Sequence, residues 1–319
     1  MKRPIPVLIA LTMTAIVTPH GASAETIAVF TKNTTNPFSK AIRLGADTAG
    51  KKLSLDVTHY VPTTADSVPE QTKLVDDAIA KKPDAIVFDP VDVEKLVPGI
   101  DKMNAANIPA IEITDRAKGG KFVSSVLPDD YQLGLATGRR LIKAMDGKGN
   151  VVILEGIPTN TTSIERLKGF NDALKEVPAV KLLASKSGQY QRKPAQDAME
   201  AWLKQFPQID GVMAANDSMA AAAVDVLQKA NRKAQVVGIN GSKEAIDLIK
   251  ADKMLATGEF NGFIIGCLGT EIAARNLRKQ PVPKEVIVKP AVYEKANLAK
   301  YEPRSEMREC PTLEDELKD

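Results

Sequence analysis

Phe30–Ala41 reads FTKNTTNPFSKA, and its interpretation decides the fold. An apolar run, Ile27, Ala28, Val29 and Phe30, ends abruptly in polar residues; Pro37, Phe38 and a helical pattern follow. Asn36 before Pro37 places a capping amide ahead of a proline at the first helical position. The stretch is therefore a strand that stops on polar groups, a short loop, and a helix start with one aromatic beside the break.

Working outward, the same alternation recurs along the chain. Short β-branched runs lie at Thr26–Thr31, Leu55–Tyr60, Ala85–Phe88, Ala110–Ile113, Phe122–Val126 and Val151–Leu154. Others follow at Val180–Ala184, Gly211–Ala214, Val236–Ile239, Met254–Thr257 and Val286–Val288. Helical patterns fill most gaps. Ser67-Val68-Pro69-Glu70 reads as a capping box, and Ser163, Asp217 and Ser242 are candidate caps for later helices. This pattern predicts an α/β protein with mostly parallel sheets and helices on both faces. There are too many strands for one such sheet, so two sheets of five or six are expected. Pro128-Asp129-Asp130 follows a strand and opens a helix, which makes it a candidate crossing between lobes. From Ala291 onward the sequence is charged and pattern-free, and partial disorder is expected near its end.

The strands end on polar groups: Thr31-Lys32-Asn33, Asp89-Pro90 and Thr114-Asp115-Arg116, then Glu155-Gly156, Asn216-Asp217 and Asn240-Gly241. Open parallel sheets bind ligands outside the carboxyl ends of their strands. Uncharged amides and a few charges converging there suit a ligand rich in hydroxyls.

Length and composition bound the class. The chain has 319 residues, more than one ordinary core accommodates. Apolar residues make up 44% and charged residues 26%, the balance of a soluble globular protein. Lys2 and Arg3, the short apolar stretch Ile5–Val17 and Ala22-Ser23-Ala24 read as a secretory signal peptide, residues 1–24, cleaved near Ala24. No cysteine sits at the cleavage site, so a soluble mature protein is expected. No later segment is long and apolar enough to cross a membrane. Without Lys2 and Arg3 the formal net charge of +3 falls to +1, which makes no case for nucleic acid. Cys267 lies in an apolar helix and Cys310 in the polar tail. Two free thiols are expected, although an oxidising compartment permits a disulfide.

No GxGxxG follows the first strand, and GxxxxGK[ST] and GxSxG are absent. His20 lies in the signal peptide, leaving His59, which is assigned to a strand end or to solvent. No carboxylate pair stands out by spacing. The residues favour binding over catalysis, with no cofactor and no metal.

The segments NTTNPF, EITDRA, ERLKGF, AANDSMA and VGINGS occur in that order. With them the chain resembles the ribose-binding type of periplasmic substrate-binding protein, the secreted receptor of ABC sugar importers, from about Thr26 to Lys289. The resemblance implies two Rossmann-like lobes joined by three crossings, with a ligand cleft between them. By analogy the first lobe is residues 25–127 with 261–289, and the second is 128–260 with 290–319. The implied ligand contacts are Lys32, Asn36, Phe38, Asp115, Arg116, Tyr190, Asn216, Asn240 and Phe260, with Asp89, Ser163 and Ile164 in a second tier. Phe38 would lie against the apolar face of a sugar ring, and Tyr190 would be the aromatic from the second lobe. Asp115 and Arg116 would grip hydroxyls, and Asn216 and Asn240 would supply amide contacts.

Four positions depart from the ribose pattern. Lys32 replaces a small hydroxyl residue, Ile164 an arginine, Asn240 an aspartate and Phe260 a glutamine. Ribose itself is therefore not the expected ligand. The more cationic cleft admits another small sugar, a polyol or a sugar acid. The implied function is a monomeric periplasmic receptor that delivers its ligand to an inner-membrane ABC permease. A sensor that docks on a chemoreceptor or histidine kinase is the alternative, and a secreted carbohydrate hydrolase ranks below both.

Overall fold

The structure is a computed structural model and describes residues 24–300 and 309–317. Apart from Ala24, the expected signal peptide lies outside the described residues. The first series of elements is β1 (Thr26–Phe30), α1 (Pro37–Leu53), β2 (Asp56–Tyr60), α2 (Val68–Lys81), β3 (Ala85–Phe88), α3 (Val97–Ala105), β4 (Ala110–Ile113) and β5 (Ser124–Pro128). The second is α4 (Asp130–Ala144), β6 (Gly149–Glu155), α5 (Thr161–Lys175), β7 (Val180–Ser187), α6 (Arg192–Gln205), β8 (Gly211–Ala214), α7 (Asp217–Lys229), β9 (Gln235–Ile239), α8 (Lys243–Lys250) and β10 (Ala256–Glu259). The chain continues through α9 (Gly262–Leu277), β11 (Glu285–Val288), β12 (Ala291–Glu294), a 3-10 turn at Lys295–Lys300 and α10 (Leu313–Leu317).

Among the described residues the strands form two six-stranded sheets. The first has the order β11-β5-β4-β3-β1-β2 and is parallel throughout. The second has the order β12-β10-β9-β8-β6-β7 and is parallel except for β12, which runs against β10. The predicted two-sheet α/β architecture is borne out. Strands β3, β4 and β8 are buried along their whole length. That follows from their near-continuous apolar runs, which suit a sheet covered on both faces. In each sheet the strand order reverses once near the middle, between β1 and β3 and between β6 and β8, which opens a crevice at the carboxyl edge.

Local signals act much as their chemistry dictates, with some differences. Asn36 caps α1 by accepting from Phe38 N at 3.0 Å. Ser67 Oγ accepts from Glu70 N, but the Glu70 carboxylate turns to the amides of Thr63 and Thr64, so only half of the capping box forms. Ser242 caps α8. Asn216 caps α7 in place of Asp217, and Ser163 lies inside α5, whose N-cap position is Asn160. Helices α4 and α5 touch through glycine. A Cβ on Gly134 would lie 2.3 Å from Arg166 O, and one on Gly169 would lie 2.4 Å from Tyr131 O. This contact holds in place the helix that carries Thr162 and Arg166.

The chain passes from the first sheet to the second at Pro128–Asp130, back at Phe260-Asn261 into α9, and over again between β11 and β12. The C-terminal end differs from expectation. The stretch from Ala291 contains β12, an edge strand whose order comes from pairing with β10 rather than from its own alternation. Residues 309–317 then pack against α9, on the first sheet's side, although residues 290–319 were all expected with the second lobe. Cys310 is bonded to Cys267 of α9, with Cα atoms 5.5 Å apart, so the two thiols are not free. Cys267, Cys310, Ala49 and Phe263 form one small buried cluster. Only the fold brings these cysteines within bonding distance.

Candidate functional site

The loops after β1, β3 and β4 face those after β6, β7, β8 and β9 across a cleft. Among the described residues four hydrogen bonds cross it. Thr162 N donates to Asp115 Oδ1 at 2.7 Å and Thr162 Oγ1 to Asp115 Oδ2 at 3.4 Å, Thr161 Oγ1 to Arg116 O at 3.2 Å, and Thr159 Oγ1 to Asp92 Oδ2 at 3.4 Å. They enclose a cavity of about 40 Å³. Its wall is Lys32, Asn33, Asn36, Phe38, Ser39, Asp66 and Thr114 on one side and Thr162, Arg166, Tyr190, Asn216 and Asn240 on the other; Phe260 comes from the second crossing.

Lys32 is the central cation of the first lobe. Its Nζ bonds to Asp115 Oδ2 and lies 3.3 Å from Asp89 Oδ1. Burial alone would lower its pKa, but the carboxylates of Asp115, Asp89 and Asp66 outweigh that and hold it raised and charged. Burial pushes the Asp89 carboxyl up to about 7, against the pull of Lys32 and a hydrogen bond from Thr114 Oγ1. Asp89 Oδ2 is buried without a hydrogen-bond partner. Asp66 is likewise raised by burial, and it accepts from Asn33 Nδ2 at 3.2 Å.

The backbone is strained around this cluster. Thr114 sits at φ 68°, Asp66 at 57°, Tyr190 at 58° and Asn240 at 144°. For β-branched Thr114 the left-handed region is a genuine outlier, and such strain collects at ligand sites.

Arg166, 2% exposed, anchors the second lobe's wall. Its Nε donates to Asp130 Oδ1 and its Nη1 to Ala215 O, both at 2.7 Å, while Nη2 has no partner. Burial pushes Asp130 up to about 7 even though Arg166 pulls it down. The guanidinium lies 4.5 Å from the centroid of Phe260, whose ring stacks on Phe38 at 4.0 Å with 12° between planes. Tyr190 donates its hydroxyl to Thr162 Oγ1 at 3.2 Å, and burial pushes that hydroxyl up to about 12.

The wall is thus part apolar ring, part amide and hydroxyl, with its charges paired inside the protein. A model of the periplasmic binding protein domain matches residues 27–281. The chain belongs to the periplasmic binding protein family. It is 33% identical over 237 residues to the D-apiose import binding protein of Paraburkholderia graminis, covering 74% of this chain and 75% of that one. It is 30% identical over 251 residues to the xylitol-binding protein of Mycolicibacterium smegmatis, covering 78% and 71%. A solved ABC transporter periplasmic solute-binding protein from Actinobacillus succinogenes with bound D-allose superposes with a TM-score of 0.82 at 32% identity, covering 86% of this chain and 99% of that one.

In this periplasmic binding protein, the cavity wall includes Lys32, Asn36, Phe38, Tyr190, Asn216, Asn240 and Phe260 from the sequence-predicted set. Asp115 and Asp89 stand behind Lys32. Asn36 and Asn216 serve as helix caps too, and Asn216 Nδ2 also donates to Tyr190 O at 3.0 Å. The Asn240 side-chain amide has no partner among the described residues. Phe38 meets Phe260, so its face is covered by a protein ring rather than left open for a sugar.

Three predicted residues stand elsewhere. Arg116 is half exposed and pairs with Glu285 of β11. Lys32 already neutralises Asp115, and the chain leaves the left-handed turn at Thr114 with Arg116 pointing outward. Ser163 is buried inside α5 and does not reach the cavity. Ile164 is 49% exposed. The added polarity comes instead from Asn33, Asp66, Thr114, Thr162 and Arg166, which the sequence reading did not assign. Arg166 had a usable signal: it lies four residues from both Thr162 and Phe170, on one buried helix face.

Proposed function

We propose that this protein captures a small neutral sugar or polyol between its lobes and presents the closed form to an ABC permease. The pairing of Lys32 with Asp115 and Asp89 carries this reading. The lysine charge is consumed inside the protein, so the cleft is not the cationic site that the residue types suggest. That removes the argument for a sugar acid. Hydroxyls, by contrast, are suited by the free Asn240 amide, the unpartnered Arg166 Nη2 and the aromatic wall. Relatives that import apiose and bind xylitol, and a structural neighbour holding D-allose, support the same chemistry.

The protein acts as a periplasmic monomer and catalyses no reaction on its ligand. A secretory signal peptide directs its export. The Cys267–Cys310 disulfide supports an oxidising compartment. The test is thermal unfolding of the chain from Glu25 onward against neutral sugars, polyols and their acid counterparts. A ligand at about 100 times its dissociation constant stabilises by about 2.7 kcal/mol. Shifts with neutral compounds alone are expected. A preference for a sugar acid would overturn the reading.

A further inference from the structure

We propose that Asp66 is a ligand-binding residue of the first lobe: its carboxylate accepts a hydrogen bond from a hydroxyl of the bound molecule and turns away the anion of a sugar acid. The inference rests on the reading of the cleft as a sugar or polyol site. Among the cavity-lining residues Asp66 is the one that carries a carboxylate. The other acids nearby are spent on the protein. Asp115 uses one oxygen for Thr162 N and the other for Lys32 and Thr162 Oγ1. Asp89 stands behind Lys32 and accepts from Thr114 Oγ1. Asp130 holds Arg166, and Asp217 holds Ser242 N and Thr257 Oγ1. Among the described residues the Asp66 carboxylate accepts one hydrogen bond, from Asn33 Nδ2 at 3.2 Å. An ionised carboxylate has about four acceptor positions, so most of its capacity is open.

Asp66 is also held in place by its own lobe. It lies on the loop between β2 and α2, past the carboxyl end of β2 in the first sheet. Its N–H donates to Lys32 O at 3.1 Å, in a left-handed turn at φ 57°. The Glu70 carboxylate pins the same loop by accepting from Thr63 N at 2.6 Å and Thr64 N at 3.1 Å. All these partners belong to the first lobe. The space between the lobes, about 40 Å³, is too small for a sugar, so the lobes must part further to admit one. Asp66 keeps its position when they do. A hydroxyl both donates and accepts, so a polyhydroxylated ligand can donate to Asp66 on one wall and accept from Arg166 Nη2 on the other. An ionised carboxylate cannot donate to Asp66, and Lys32, the cation of that wall, is already taken by Asp115 and Asp89.

The experiment is calorimetric titration of the chain from Glu25 onward with xylitol, D-apiose, D-allose, D-xylonate and D-allonate, on the wild type, Asp66→Asn and Asp66→Gly. Both substitutions suit the positive φ, and Asp66→Asn keeps an acceptor for Asn33 Nδ2 while removing the charge. Ligand-free melting temperatures should therefore stay close to that of the wild type. In the wild type at least one neutral compound should bind, at least about tenfold more tightly than either anion. Both variants should weaken that compound by about tenfold or more, the scale of a hydrogen bond to a charged group, and should lower the ratio of neutral to anion affinity. Unchanged neutral affinity in both variants would overturn the role of Asp66 and leave the sugar-site reading standing. A ligand-free melting temperature that falls along with the affinity in both variants would make Asp66 a residue of the fold alone and overturn the role equally. Tighter wild-type binding of an anion, or binding of none of the five, would overturn the functional reading and this inference together.

Discussion

Asp115 and Thr162 belong to opposite lobes, and Asp115 Oδ1 accepts from Thr162 N at 2.7 Å. Thr162 is the second residue of α5, and Asn160 at the N-cap position makes no side-chain cap bond. Both amide atoms of Asn160 are buried without a partner. Helix α5 therefore takes its cap from the other lobe, with a carboxylate at the positive end of its dipole. In this arrangement of the lobes, one hydrogen bond both crosses the cleft and caps the helix.

Asp115→Ala should thus favour the open form. Affinity for the best wild-type ligand should fall at least tenfold, since a hydrogen bond to a charged group contributes about 1.5–3 kcal/mol. Hydrogen exchange in the first turn of α5 should rise. Unchanged exchange there would show that the cap is not shared between lobes.

Lys32 is the counter-charge for two buried carboxylates. Lys32→Met should cost about 3 kcal/mol or more in urea unfolding, because it strands Asp115 and Asp89. Adding Asp115→Asn to Lys32→Met should recover part of that loss. Additive losses in the double variant would mean that the two side chains do not interact.

The ligand-free protein should lose stability as pH rises from about 4 to about 7. Burial raises Asp89 and Asp130 to about 7 and Asp217 to about 6. A carboxyl with a raised native value contributes stability that is complete below its unfolded value and is lost as pH climbs through the folded one. Melting at about pH 5 should therefore exceed melting at about pH 8, and Asp89→Asn should flatten the slope. A melting temperature that rises across this window would contradict the burial argument.

The Cys267–Cys310 bridge closes a loop with a sequence separation of 43. In the chain-entropy account such a loop stabilises by about 4 kcal/mol. Reduction, or Cys310→Ser, should lower the melting temperature and release residues 309–317 from α9. Proteolysis near the C-terminus before and after reduction would read this directly.

Much of this protein is legible in its sequence. Most of the parallel strands are apolar runs closed by polar residues, because a sheet covered on both faces has no other way to be buried. The strand that runs into Thr31-Lys32-Asn33 marks one rim of the cleft by its composition alone. The two-sheet architecture and the polar strand ends follow from local chemistry, and local chemistry is written in consecutive residues. The missed features depend on distant ones. β12 is ordered by its partner β10, and the disulfide joins an apolar helix to a polar tail.

The site shows the same division most plainly. Sequence alone determined that Lys32, Asn36, Phe38, Asp115, Asn216 and Asn240 would stand at strand ends and helix starts. Tertiary structure decided what they do there. It turned Lys32 onto Asp115 and Asp89, so that a lone cation in the sequence became a paired charge in the cleft. It sent Arg116 to Glu285, brought Arg166 to the wall and stacked Phe260 on Phe38. The charge and shape of a cavity depend on which side chains meet across it, and that is settled by the packing of two lobes, not by the order of residues in either one.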